Sequence, residues 1–137
     1  MAGEKNLTEL LKNMTPVLHE GAYVFVSVAD PSAIDLGDAI CTFREAEGTT
    51  LILPKEKADA LHLPYDYVAA WITLMVHSSL EAVGLTAAFA SELARHGISC
   101  NVVAAWYHDH IFVDQKDAHR ALEVLRALAA RARGFDG

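Results

Sequence analysis

Cysteine is scarce: the chain has two, Cys41 and Cys100, with no CxxC spacing. One potential pair is no disulfide framework. The burial preference of free cysteine predicts two buried small side chains. Basic residues are also in deficit, 11 against 18 acidic, for a formal charge of −7. Nucleic-acid binders neutralise phosphates with clustered Lys and Arg. Here Arg126, Arg131 and Arg133 are strung along one helix as its solvated face, which disfavours nucleic acid as a partner. Long apolar runs are missing too. The longest, Val68 to Val76, is interrupted by Thr73 and falls short of the ~20 residues a membrane helix needs. Met1-Ala2-Gly3-Glu4-Lys5 has no apolar segment behind it, so no signal peptide and a cytoplasmic location are expected. P-loop, dinucleotide and G-x-S-x-G signatures are all lacking, and nothing makes a positive case for an enzyme or a cofactor.

What is present is a folding chain. Hydrophobic residues make up 53% of 137, which excludes disorder. Aromatics supply only 8%, so the core relies on closely packed Ala and Val rather than large rings. Asn6 caps a predicted helix over about Leu7–Met14, stopped by Pro16. Ala22–Val28 alternates as a strand. Asp30 through Asp38 is turn chemistry without a clear helix. Ala39–Glu45 and Thr49–Leu53 form a hairpin about Glu47-Gly48, and Pro54 introduces a helix over about Lys55–Leu61.

The second half opens with Tyr67–Val76, apolar on both faces and therefore a central strand. Leu85, Phe89 and Leu93 recur at helical spacing before Gly97. Ser99–Tyr107 and His110–Val113 are expected to pair around a His108-Asp109 turn. Ala118, Leu122, Leu125, Ala129 and Ala132 trace a last helix. The order strand–loop–strand–strand–helix, then strand–helix–strand–strand–helix, gives an α+β fold of two ferredoxin-like halves, residues 1–64 and 65–137. Each half lacks a closing strand. Val17-Leu18 and Tyr67–Val76 are the candidates to complete the other half's sheet, and a partner subunit is the alternative.

Three stretches carry a resemblance: His77-Ser78-Ser79-Leu80-Glu81-Ala82-Val83-Gly84-Leu85-Thr86, Gly97–Ala104, and Tyr107-His108-Asp109-His110-Ile111-Phe112-Val113. They resemble the bacterial family of small tandem ACT-domain proteins, long carried as a domain of unknown function. Phe43-Arg44-Glu45, Glu47–Leu51, Pro16-Val17-Leu18 and Tyr23-Val24-Phe25 look like that family's first half. The pattern is also similar to the second-half ACT modules of eukaryotic arginine sensors. The resemblance implies antiparallel sheets with helices on one face, a small effector such as an amino acid as partner, and a homodimer. A fold does not fix a function, so the site must carry the argument.

The candidate site is the loop Ser78–Thr86, which leaves a central strand and opens a helix. First-turn amides and the helix dipole favour a carboxylate there. Gly84 permits close approach, Ser78, Ser79 and Thr86 offer hydroxyls, and Leu80, Val83 and Leu85 complete the contacts. Glu81 or Asp109 could meet an ammonium group. The ordinary reading is a loop with a capping Ser or Thr. His108-Asp109-His110 contributes to the ligand site in one reading. In the alternative, His108 and His110 join His77 around a metal ion. Asn101, polar on an apolar strand, must find a partner if buried and is a further ligand candidate. Trp71, Trp106 and Tyr107 are assigned to the core or an interface.

Overall fold

The computed structural model describes Gly3 and residues 6–134. Among these the chain forms two compact units. The first is Glu20–Ala70; the second joins the residues up to His19 with those from Trp71 onward.

In the first unit, strand β2 (Tyr23–Val28) pairs antiparallel with β4 (Thr49–Pro54), which pairs in turn with β3 (Cys41–Arg44). The start of β5 (Val68–Met75) lies antiparallel on the other side of β2, setting Val68 opposite Val24 and Ala69 opposite Tyr23. Alternation decides which side chains go inward. Val24, Val26, Leu51 and Leu53 form the core with Ala58 of helix α2 (Lys55–Ala60). Pro54 is the cap of that helix rather than its first residue. Between β2 and β3 the chain makes two short 3-10 turns, Pro31–Ala33 and Leu36–Asp38. Asp30 and Asp35 each accept a backbone N–H two residues on, which holds these turns without a helix.

The second unit begins with α1 (Leu7–Asn13), where Asn6 accepts the Glu9 amide as the cap anticipated from sequence. Next comes β1 (Thr15–Leu18), antiparallel to the later part of β5 with Pro16 opposite Leu74 and Leu18 opposite Ile72. Val17-Leu18 thus closes the second half's sheet, and the start of β5 closes the first half's. β7 (Asp109–Asp114) flanks β5 on its other side and pairs antiparallel with β6 (Asn101–Ala104). Helices α3 (Leu85–Arg95) and α4 (Ala118–Ala132) complete the unit. Ile72, Leu74, Ile111 and Val113 of the strands are fully buried, as are Leu10, Phe89, Leu93 and Leu125 of the helices. Arg131 of α4 reaches the buried Glu92 of α3 at 2.7 Å, and Arg95 pairs with the same carboxylate. Burial pushes the Glu92 carboxyl up, but Arg131 and Arg95 together hold it below its usual range.

Two local expectations change. The β6–β7 turn is Ala105–His108, closed by the Ala105 amide on the His108 carbonyl at 3.1 Å. Pairing therefore starts one residue before His110, with Asp109 on the strand opposite Ala104. The cysteines are free and half-buried rather than buried, and burial raises the Cys100 thiol to about 11.

Candidate functional site

Between β5 and α3 the chain turns sharply. The Ala82 amide bonds the Ser79 carbonyl at 2.9 Å, and the Glu81 amide donates to Ser79 Oγ at 3.1 Å. Ser78 and Ser79 are thereby buried, while Leu80 and Val83 are left exposed. Gly84 then enters α3 with φ +95°, a left-handed conformation that side-chain-bearing residues resist. Among the described residues no side chain caps this helix. The amides of its first turn, which an α-helix cannot satisfy internally, keep their donor capacity.

The residues of this first turn border a hollow of about 100 Å³. Ser78, Ser79, Gly84, Leu85 and Thr86 line one part of it, and Asp109 of β7 lines another. Strand register explains the meeting. Asp109 stands one pleat from the buried Ile111, so its carboxyl enters the helix-covered side of the sheet. It is 7% exposed, and burial alone pushes its pKa up. No side-chain hydrogen bond or ion pair engages this carboxylate among the described residues. A buried acid beside uncapped amides forms an ambivalent electrostatic site, with one place for an anion and one for a cation.

A second hollow, of about 270 Å³, shares the Ser78–Leu80 wall and adds His77, Glu81 and Trp106. Glu81 therefore belongs to this neighbouring space and not to the smaller hollow. Leu80 borders both, whereas Val83 borders neither.

The remaining candidates lie elsewhere. Asn101 is exposed at the start of β6, where its Nδ2 donates to the Phe112 carbonyl at 3.4 Å, and it lines neither hollow. His108 has its Nδ1 3.3 Å from the Val76 carbonyl. His110 belongs to a different cluster. Its Nδ1 lies 3.1 Å from Trp71 Nε1 and 3.0 Å from Thr73 Oγ1, and His19 Nε2 is 2.7 Å from the same hydroxyl. An indole N–H can only donate, so His110 Nδ1 must accept and the imidazole is neutral with its proton on Nε2. Burial, with His108 and His19 adding to it, lowers the His110 pKa, and burial lowers that of His19.

The three histidines of the metal alternative meet different partners. His77 packs against Tyr107, His108 faces a carbonyl, and His110 is committed to Trp71 and Thr73. Among the described residues no three His, Cys, Asp or Glu side chains form a group that could hold a metal ion. The aromatic assignments also divide: Trp71 stacks on His19 at 3.6 Å, but Trp106 and Tyr107 are exposed. Sequence reasoning missed Ala82 and Ala104 in the smaller hollow and Gly3 and Trp106 in the larger. Only strand register, Ala104 opposite Asp109, could have signalled Ala104.

Two family profiles, each described as an ACT domain, match residues 2–70 and 67–127. The chain belongs to the ACT-domain family. Its two ACT domains follow in tandem, and solved structures share the arrangement. A Vibrio cholerae protein of unknown function, described as a possible transport protein, is 51% identical with TM-score 0.81, the match covering 91% of this chain and 97% of that one. An Agrobacterium tumefaciens protein is 16% identical with TM-score 0.70, over 85% and 89% of the two chains. The ligand-free regulatory subunit of aspartate kinase from Thermus thermophilus is 10% identical with TM-score 0.58, over 82% and 95%. These last two likenesses speak to the ACT fold alone. None of the curated proteins compared with the chain matches it. No helix among the described residues is long and apolar enough to cross a membrane.

Proposed function

We propose that this tandem ACT protein is a non-enzymatic, cytoplasmic regulatory sensor that binds an α-amino acid in the hollow between Gly84 and Asp109. One observation carries the reading: Asp109 is buried, has no side-chain partner among the described residues, and lines the same space as the uncapped start of α3. The ligand's carboxylate takes the amides of Leu85 and Thr86, assisted by the helix dipole. Its ammonium takes the Asp109 carboxylate, offsetting the cost of that buried charge. Ser78 and Ser79 supply hydroxyls at the wall, and Gly84 keeps the backbone approachable. A hollow of about 100 Å³ suits the amino and carboxyl ends of such a ligand and little else.

The ACT family supports the regulatory part of this reading. Within it, the halves 1–64 and 65–137 are two copies of one repeat, of which the second holds the ligand. Association of two chains into a homodimer belongs to the same reading, and sedimentation checks it.

Thermal unfolding with each of the twenty amino acids tests the clamp. A ligand at a hundred times its dissociation constant adds about 2.7 kcal/mol of stability. The stabilisation should vanish with the matching amine that lacks the carboxylate and with the N-acetylated acid. If no α-amino acid raises the unfolding temperature, the proposal is wrong.

A further inference from the structure

We infer that the effector is an α-amino acid with a large, uncharged apolar or aromatic side chain, which lies in the hollow beside Trp106. This rests on the clamp reading and specifies the ligand class of the same site. The smaller hollow has room for the charged ends alone, so a side chain must leave it. The larger hollow of about 270 Å³ begins at the same wall, since both are bordered by Ser78, Ser79 and Leu80.

Two of that second hollow's linings are large apolar groups facing solvent: Leu80 is 63% exposed and Trp106 57%. Val83 and Tyr107, beside them in the chain, are exposed as well. Four exposed apolar side chains within the two segments that frame a site mark a surface that something apolar covers. A ligand side chain laid against Trp106 and Leu80 removes apolar area from water on both partners.

Charge narrows the class further. Asp109 lines one hollow and Glu81 the other, so an acidic side chain meets like charge. Size then discriminates: alanine fills the clamp but leaves the Trp106 hollow open.

Calorimetric titration of the full chain with phenylalanine, leucine, alanine, glutamate and arginine tests this. Phenylalanine and leucine should bind at least about tenfold tighter than alanine, the worth of a partly buried apolar side chain. Trp106→Ala, at an exposed position that lines the larger hollow and not the smaller, should bring phenylalanine and leucine down to alanine's affinity and leave alanine's unchanged. If alanine binds as well as phenylalanine, if arginine or glutamate binds tightest, or if the variant keeps its preference, the inference falls while the clamp stands. A variant that alters only the sedimentation of the protein also overturns it, by assigning the apolar wall to a second copy. Failure of all five ligands to bind removes the clamp and this inference together.

Discussion

The two units pair their hairpins in the same register. Arg44 faces Thr49 in the first and Ala104 faces Asp109 in the second, with four-residue turns Glu45–Gly48 and Ala105–His108 between the strands. They differ in what precedes the hairpin. In the first unit, β2 reaches β3 through two 3-10 turns whose amides are taken by Asp30 and Asp35. In the second, β5 reaches β6 through the Ser78–Gly84 loop and the eleven-residue α3, whose first turn has no side-chain cap. The hairpin position that carries a half-buried Thr in one unit carries a buried Asp in the other. A duplicated framework thus brings an uncapped helix start and a buried acid to one hollow only in the second unit. The first unit spends Asp30 and Asp35 on its own turn amides, and its hollow of about 390 Å³ lies elsewhere, between Glu20–Tyr23 and Pro54–Asp59.

The strongest way to break this contrast is to remove the helix's anchor. Phe89 is fully buried in α3 and has no counterpart in the first unit. Phe89→Ala should cost about 3–5 kcal/mol, read from chemical denaturation, and ligand stabilisation should disappear with it.

Next in size is Asp109→Asn, which removes the acid but keeps its shape. Affinity for the amino acid should fall about 100-fold, as expected for losing one partner of a buried charge pair. The same group sets a pH signature. Because burial raises its pKa in the folded state, the folded protein holds this proton at pH values where the unfolded chain has released it. The ligand-free protein should therefore lose stability as pH rises from the ordinary Asp pKa through the raised one, and Asp109→Asn should abolish that dependence. Ligand affinity moves oppositely, weakening as pH falls through the raised pKa and the carboxylate is neutralised. Denaturation and titration at several pH values check both signs.

Gly84→Ala sharpens the comparison at the loop itself. Its φ of +95° and a Cβ 3.2 Å from Leu7 Cδ2 predict a loss of about 1–2 kcal/mol, measured as a lower denaturation midpoint. Smallest is Asp35→Ala in the first unit, which deletes a turn-capping bond for about 0.5–1 kcal/mol. It should leave ligand affinity unchanged in the same titration, since that turn takes no part in the site.

Much of this was legible along the chain. The Asn6 cap, the Val24–Val26 and Leu51–Leu53 alternation, and the Leu85–Phe89–Leu93 stripe report local backbone preference and one buried face, both written in consecutive residues. The loop Ser78–Thr86 was readable for the same reason: a glycine before a helical stripe marks a helix start. Asp109 was readable only as a candidate, because placing the turn one residue off moves its side chain to the wrong place. What surrounds Asn101, Val83, His77, His108 and His110 was not legible for a related reason. Residue type states what a group is able to bind, while the strand's register decides what it faces.

The sequence by itself determined the elements, their order, the duplication and the polar character of the loop before α3, because these follow from periodicity, capping and turn chemistry over a few residues. Tertiary structure alone decided that Val17 and Leu18 close the second half's sheet and that Asp109 lines the hollow at Gly84. It also decided that His110 is held by Trp71 and Thr73. Each depends on which distant segments pair and in what register. That choice is made by burial of the whole core and not by any stretch of chain read alone.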